Sequence, residues 1–147
     1  MPRPGSHWVY DPNRGGRAIP DAVRRRLEAR LQSHAERRFG GRYRRLEVRF
    51  RGQFCYLDLY VEPWLPKVWP VSVGEESRDK ALERLRATPV HLCRLRYFSD
   101  EDALSFAFYS YASDRYEPSV FASGAWVGSP EEALELSAMF HLETAGP

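Results

Sequence analysis

The sequence lacks the features that identify disulfide-rich, metal-binding, membrane, secreted and nucleotide-binding proteins. Its two cysteines, Cys55 and Cys93, are too few for a disulfide framework and lie in no metal-binding spacing. No apolar run approaches the roughly 20 residues that span a bilayer, and the N-terminus has no apolar signal segment. No catalytic or nucleotide-binding signature occurs. We therefore expect a cytoplasmic protein without metal or cofactor, and the sequence alone does not assign an activity.

The composition is that of a folded chain. Hydrophobic residues make up 43% and aromatic residues 14% of the 147 positions, which is enough to enclose a core. Residues 1–52 hold 14 Arg against 5 acidic residues, a net charge of +9, whereas residues 53–147 have a net charge of −7. This division favours either an anionic partner for the N-terminal third or a match, within the chain or head to tail, with the acidic remainder.

Proline and glycine spacing predicts an extended N-terminal arm over residues 1–19 and a single domain over residues 20–147. A helix is predicted to begin at Pro20 and to end before Gly40. Its apolar stripe consists of Val23, Leu27, Leu31, Ala35 and Phe39. We interpret its arginines as a solvated face, because phosphate contact would require them to share a face with the strand that follows.

The strongest strand signal is RFRGQFCYLDLYVE, residues 49–62. Two alternating runs, 45–51 and 54–62, meet at Gly52 and predict a β-hairpin. Further strands are predicted over residues 90–98, 104–111 and 115–121. A Pro- and Trp-rich insertion over residues 63–74, with a short helix over 77–86, separates them from the hairpin.

A capping box predicts the C-terminal helix. Ser129 stands at the N-cap, Pro130 at the first helical position and Glu132 at the third. The apolar face of this helix is expected to include Leu136 and Phe140. The fold class is therefore α+β: an antiparallel sheet of about five strands, with the N- and C-terminal helices packed on one face.

The far side of this sheet is predicted to be cationic and aromatic. Strand alternation places the inner row of the hairpin in the core and leaves the fifth strand undecided. The candidate binding residues on the far side are Arg49, Arg51, Tyr56, Asp58, Tyr60, Arg94, Arg96, Tyr109 and Tyr111.

This surface has several interpretations. The leading one is a small non-enzymatic protein-interaction domain that forms a homodimer, since Tyr and Arg are enriched at interfaces. Alternatively, the segment from Trp64 to Trp69 would cover this face of the sheet. Its two tryptophans would fold back over an apolar edge or form a patch that binds a partner. A single-stranded nucleic-acid platform is the main alternative function, because bases stack on rings and guanidinium planes.

An enzyme is the remaining alternative. Asp58 with His91 forms a candidate acid/base pair, but no nucleophile is identified beside it. Cys93 lies two residues from His91, so both would share a face of a regular strand, although that spacing does not suit a Cys/His pair. We assign no catalytic residue and no metal ligand.

Three stretches together resemble a family of short uncharacterised bacterial proteins: RFRGQFCYLDLYVEP (49–63), TPVHLCRLRYFSDEDALSFAFYSYASDRYEPSVF (88–121) and GAWVGSPEEALE (124–135). The resemblance covers most of the chain after residue 19 and supports the domain limits. No activity is established for that family, so the resemblance implies no functional residues. The segment GSPEEALE is also similar to the strand-to-helix step of small HicB-type antitoxin domains.

Overall fold

A six-stranded antiparallel sheet and three helices form within residues 15–70 and 76–142, the parts of the chain that the computed structural model describes. The predicted α+β fold class is confirmed. In chain order the elements are α1 (Asp21–Phe39), β1 (Arg45–Arg51), β2 (Phe54–Tyr60), α2 (Arg78–Ala87), β3 (Val90–Arg96), β4 (Leu104–Ser110), β5 (Arg115–Ser119), β6 (Val127–Gly128) and α3 (Pro130–Leu142).

The sheet follows the order of the chain. Strands β1 to β5 are neighbours in sequence order, so the predicted hairpin and meander join into one antiparallel surface. The hairpin turns at Gly52, whose φ of 59° suits the first position of a type II′ turn. The short strand β6 was not predicted and pairs with the start of β4. A Cβ on Gly128 would lie 2.7 Å from the buried Phe121 ring, so this approach requires glycine.

Local signals set the helix boundaries. Helix α1 begins directly after Pro20, and its whole predicted stripe is buried. In the capping box, Glu132 N donates to Ser129 Oγ at 3.2 Å, and Ser129 N donates to Glu132 Oε1 at 3.1 Å. The prediction for Phe140 is wrong, because its side chain is 70% exposed at the end of α3.

Helices α1 and α3 pack against each other and cover one face of the sheet. The core between them combines the α1 stripe with inward residues of the strands, such as Leu57 and Leu95. Within the described ranges, none of the helices has the length and apolar character needed to cross a bilayer.

Three of the α1 arginines pair with acidic residues from later in the chain. The ion pairs are Arg26–Glu101, Arg30–Asp102, Arg30–Glu131 and Arg38–Glu135, with N···O distances of 2.9, 2.7, 2.7 and 2.6 Å. The excess positive charge of the N-terminal third is thus partly compensated by acidic residues of the same chain. Because α1 covers the inner face of the sheet, its arginines do not share a surface with the outward residues of β1.

Two predicted segments are only partly described. Residues 1–14 of the predicted arm lie outside the described residues, while Arg17 N donates to Tyr97 O at 2.9 Å and Ile19 is buried. Within the insertion, residues 71–75 lie outside them as well. Trp64 is 80% exposed, so it does not cover an apolar edge as one prediction had it. Trp69 Nε1 donates to Glu76 O at 2.9 Å.

Candidate functional site: the outer face of the sheet

The candidate site is the sheet surface opposite α1 and α3, which we call the outer face. The strand register places the predicted residues of β1 to β4 on it together: Arg49, Arg51, Tyr56, Asp58, Tyr60, Arg94, Arg96 and Tyr109. Tyr111 lies one residue beyond β4, where its hydroxyl accepts a hydrogen bond from His91 N at 2.8 Å. The predicted set therefore forms one surface rather than scattered positions.

The sequence did not decide which side chains of the fifth strand face outward, and the structure places Tyr116 of that strand on the outer face. Tyr116 lies opposite Tyr109, and their ring centroids are 5.1 Å apart. It also contacts Tyr56, with centroids 5.6 Å apart. The segment RYEPS of β5 is too short and mixed for alternation to fix its face. Tyr116, the only aromatic residue of this segment, was the one sequence feature that pointed to the outer face.

A β-bulge in β3 brings His91 onto the outer face. Leu57 lies opposite Cys93, but the next pair is Asp58 with His91, so Leu92 is the extra residue. This reverses the alternation, and the expectation that His91 and Cys93 share a face is wrong. Cys93 is fully enclosed on the inner face, where burial raises the pKa of its thiol to about 12. It takes no part in a site with His91.

Asp58 is the centre of the outer face. Its side chain is only 3% exposed, and Oδ2 accepts hydrogen bonds from Arg49 Nε at 3.0 Å and Nη2 at 2.8 Å. Oδ1 lies 2.8 Å from His91 Nδ1. An ionised carboxylate can only accept, so Nδ1 carries a proton. In the neutral imidazole, Nε2 is then a hydrogen-bond acceptor on the side of the ring that faces away from Asp58.

Guanidinium groups lie over several aromatic rings of the outer face. Arg45 is 4.2 Å from the Tyr60 ring centroid, and Arg94 is 4.3 Å from that of Phe54. Arg49 lies 5.2 Å from the centroid of Tyr56. These distances are within the range of cation–π attraction. The side chains are therefore already ordered by one another.

An open hollow of about 720 Å³ lies on this face, and we call it the outer hollow. It is lined by Arg49, Phe50, Arg51, Tyr56, His91, Tyr109 and Tyr116. Burial, followed by the charge of Asp58, raises the pKa of Tyr116, which therefore keeps its hydroxyl proton at neutral pH. His91 lines the same hollow, and the Nε2 of its neutral ring is a nitrogen that can accept a proton. The neighbouring groups are hydroxyls and guanidiniums suited to binding.

No part of the described chain brings three or more His, Cys, Asp or Glu residues together in a way that could hold a metal ion. No family model, curated protein or solved structure matches the chain.

Proposed function

We propose that this protein binds single-stranded nucleic acid through the outer face. The supporting observation is the charge of that face. The outward positions of β1 to β3 carry four arginines that solvent reaches, Arg45, Arg49, Arg51 and Arg94, against Glu47 and Asp58; the fifth, Arg96, is only 4% exposed. On α1, Arg26, Arg30 and Arg38 have acidic partners from later in the chain. Phosphate is an anion that such a surface attracts.

The aromatic side chains supply the second half of the argument. Tyr56, Tyr109 and Tyr116 are each half-buried and packed edge to face, with ring planes at 65° and 75° to one another. Bases stack on aromatic rings and on guanidinium planes, each base contributing about 1–3 kcal/mol. A surface of this composition suits unpaired bases, which a duplex does not expose.

The test is the affinity for a short single-stranded RNA, measured by fluorescence anisotropy over a range of salt concentrations. Arg45→Ala combined with Arg51→Ala should weaken binding by about tenfold and reduce the salt slope by about 1.4, the loss of two phosphate contacts. Arg49 is left intact because it holds Asp58. The control is Arg25→Ala with Arg37→Ala, which removes the same charge from exposed positions on α1.

The control variant should bind within about twofold of the unmodified protein, apart from the small long-range effect of its charge. If the protein does not bind the RNA, or binds it with an affinity that does not depend on salt, the proposal is wrong. Equal losses in the two double variants would show attraction to the overall charge of the protein rather than to the outer face.

Self-association through the outer face is the second candidate. It is favoured by the packed arrangement of the aromatic side chains, which would lose little conformational freedom in an interface. It is opposed by charge, because two such faces would bring an excess of arginines together. Sedimentation velocity distinguishes the two. A dimer that becomes a monomer in Tyr56→Asp, but not in the exposed Trp64→Asp, would support this candidate.

A further inference from the structure

Asp58 contacts two side chains of the outer face, Arg49 and His91, one through each of its carboxylate oxygens. One carboxylate oxygen accepts from Arg49 at 2.8 Å, and the other accepts from His91 Nδ1 at 2.8 Å. Both partners line the outer hollow. The remaining guanidinium donors of Arg49 and the second ring nitrogen of His91, Nε2, therefore belong to two side chains of the same hollow.

The tautomer of His91 decides whether its Nε2 accepts or donates a hydrogen bond. Because Nδ1 donates to Asp58, the neutral ring has an unprotonated Nε2, and the ring belongs to the lining of the hollow. The other charged groups that line the hollow, Arg49 and Arg51, are donors only. Phenol hydroxyls accept weakly in comparison with a basic imidazole nitrogen. Phosphate oxygens have no proton to give to Nε2, whereas a hydroxyl group does.

We propose that the outer hollow binds ribonucleotides in preference to deoxyribonucleotides, with His91 Nε2 accepting a hydrogen bond from the 2′-hydroxyl and Arg49 contacting the adjacent phosphate. In a ribonucleotide the 2′-hydroxyl, a donor, neighbours the 3′-phosphate, an acceptor. His91 offers an acceptor for the first group and Arg49 offers donors for the second, and both side chains bind Asp58. The 2′-hydroxyl is the group by which proteins tell RNA from DNA. This inference rests on the proposed function and narrows its substrate class.

The orientation of the imidazole is fixed on several sides. Its ring centroid lies 4.9 Å from that of Tyr109, and it stacks at 6.3 Å and 16° on Tyr111. The backbone N–H of His91 donates to the Tyr111 hydroxyl at 2.8 Å. The acceptor is thus held in place before a ligand arrives, which reduces the entropy lost on binding.

The test compares three short single strands of uridine: RNA, the matching deoxyuridine DNA and the 2′-O-methyl strand, which cannot donate from that oxygen. Affinities are measured by fluorescence anisotropy at about pH 8.5, where imidazole side chains are neutral. We expect RNA to bind about fivefold more tightly than either other strand, the effect of one hydrogen bond. In His91→Ala the three affinities should become equal.

The control is His34→Ala, which removes a histidine on α1, on the other side of the sheet. It should keep the preference for RNA. If the unmodified protein binds all three strands equally, or prefers DNA or the methylated strand, the inference is overturned while the proposed function stands. If the preference persists in a folded His91→Ala, the assignment to His91 is wrong. If none of the strands binds, the proposed function fails and this inference with it.

Discussion

Asp58 carries its negative charge in a place that solvent barely reaches. Its side chain is 3% exposed, whereas those of its partners Arg49 and His91 are 48% and 36% exposed. A buried charge costs several kcal/mol unless it is paired and hydrogen-bonded. Here both oxygens have partners, and those partners in turn are oriented by the carboxylate. The geometry of the outer face therefore depends on this residue.

Replacing Asp58 tests that dependence. Breaking a fully buried ion pair costs about 3–5 kcal/mol, but Arg49 and His91 are half-exposed and can rehydrate, so we expect Asp58→Ala to lose about 2 kcal/mol. Urea denaturation measures the change. Glu117→Ala, at an exposed carboxylate 3.7 Å from Arg115, should change stability by less than about 0.5 kcal/mol. Similar losses in both variants would contradict this account of Asp58.

At the scale of elements, Arg30 connects α1 to α3. Its guanidinium donates to both oxygens of Glu131, at 2.8 and 2.7 Å, in the first turn of α3. The same side chain reaches Asp102 in the connection before β4. The bidentate geometry makes this the best-formed link between the two long helices on the inner face.

The Arg30–Glu131 pair should appear in the dependence of stability on pH. The hydrogen bond from Arg30 holds the pKa of Glu131 below its ordinary value of 4.5, although burial acts in the opposite direction. A lowered pKa in the folded state gives stability that is present above the unfolded value and is lost as the pH falls. We expect Glu131→Gln to lose about 1 kcal/mol at neutral pH.

Below about pH 5, the stability of Glu131→Gln should fall less steeply than that of the unmodified protein. Thermal unfolding followed by circular dichroism over a pH series measures the difference. Glu83→Gln, at an exposed position on α2, serves as the control and should follow the unmodified protein. Parallel curves for Glu131→Gln and the unmodified protein would exclude the assigned role.

The elements with strong local signals could be predicted, and those set by distant contacts could not. Gly52 between two alternating runs and the Ser129 capping box act within a few residues, so the hairpin and α3 were found from the sequence. The bulge at Leu92 and the pairing of β6 depend on neighbouring strands. For this reason the sequence suggested Asp58 with His91 only as one candidate pair, without the change of face that joins them.

At the scale of the whole molecule, charge is distributed unequally between two surfaces. Arg26, Arg30 and Arg38 of α1 pair with acidic residues of the later segments, and the outward strands carry more arginines than acids. The total net charge of +2 conceals this arrangement. The sequence located the basic third of the chain, but only the tertiary structure shows which of its arginines lie on α1 and which lie on the outer face.

Mapping the bound strand onto the molecule tests the central claim most directly. The amide chemical shifts of the isotope-labelled protein are recorded while a short single-stranded RNA is added at low salt. We expect the largest changes on the outward strands, around Tyr56, His91, Tyr109 and Tyr116, with little change along the exposed side of α1. Changes centred on α1 or α3, or no change at any residue, would contradict the assignment of the outer face as a nucleic-acid surface.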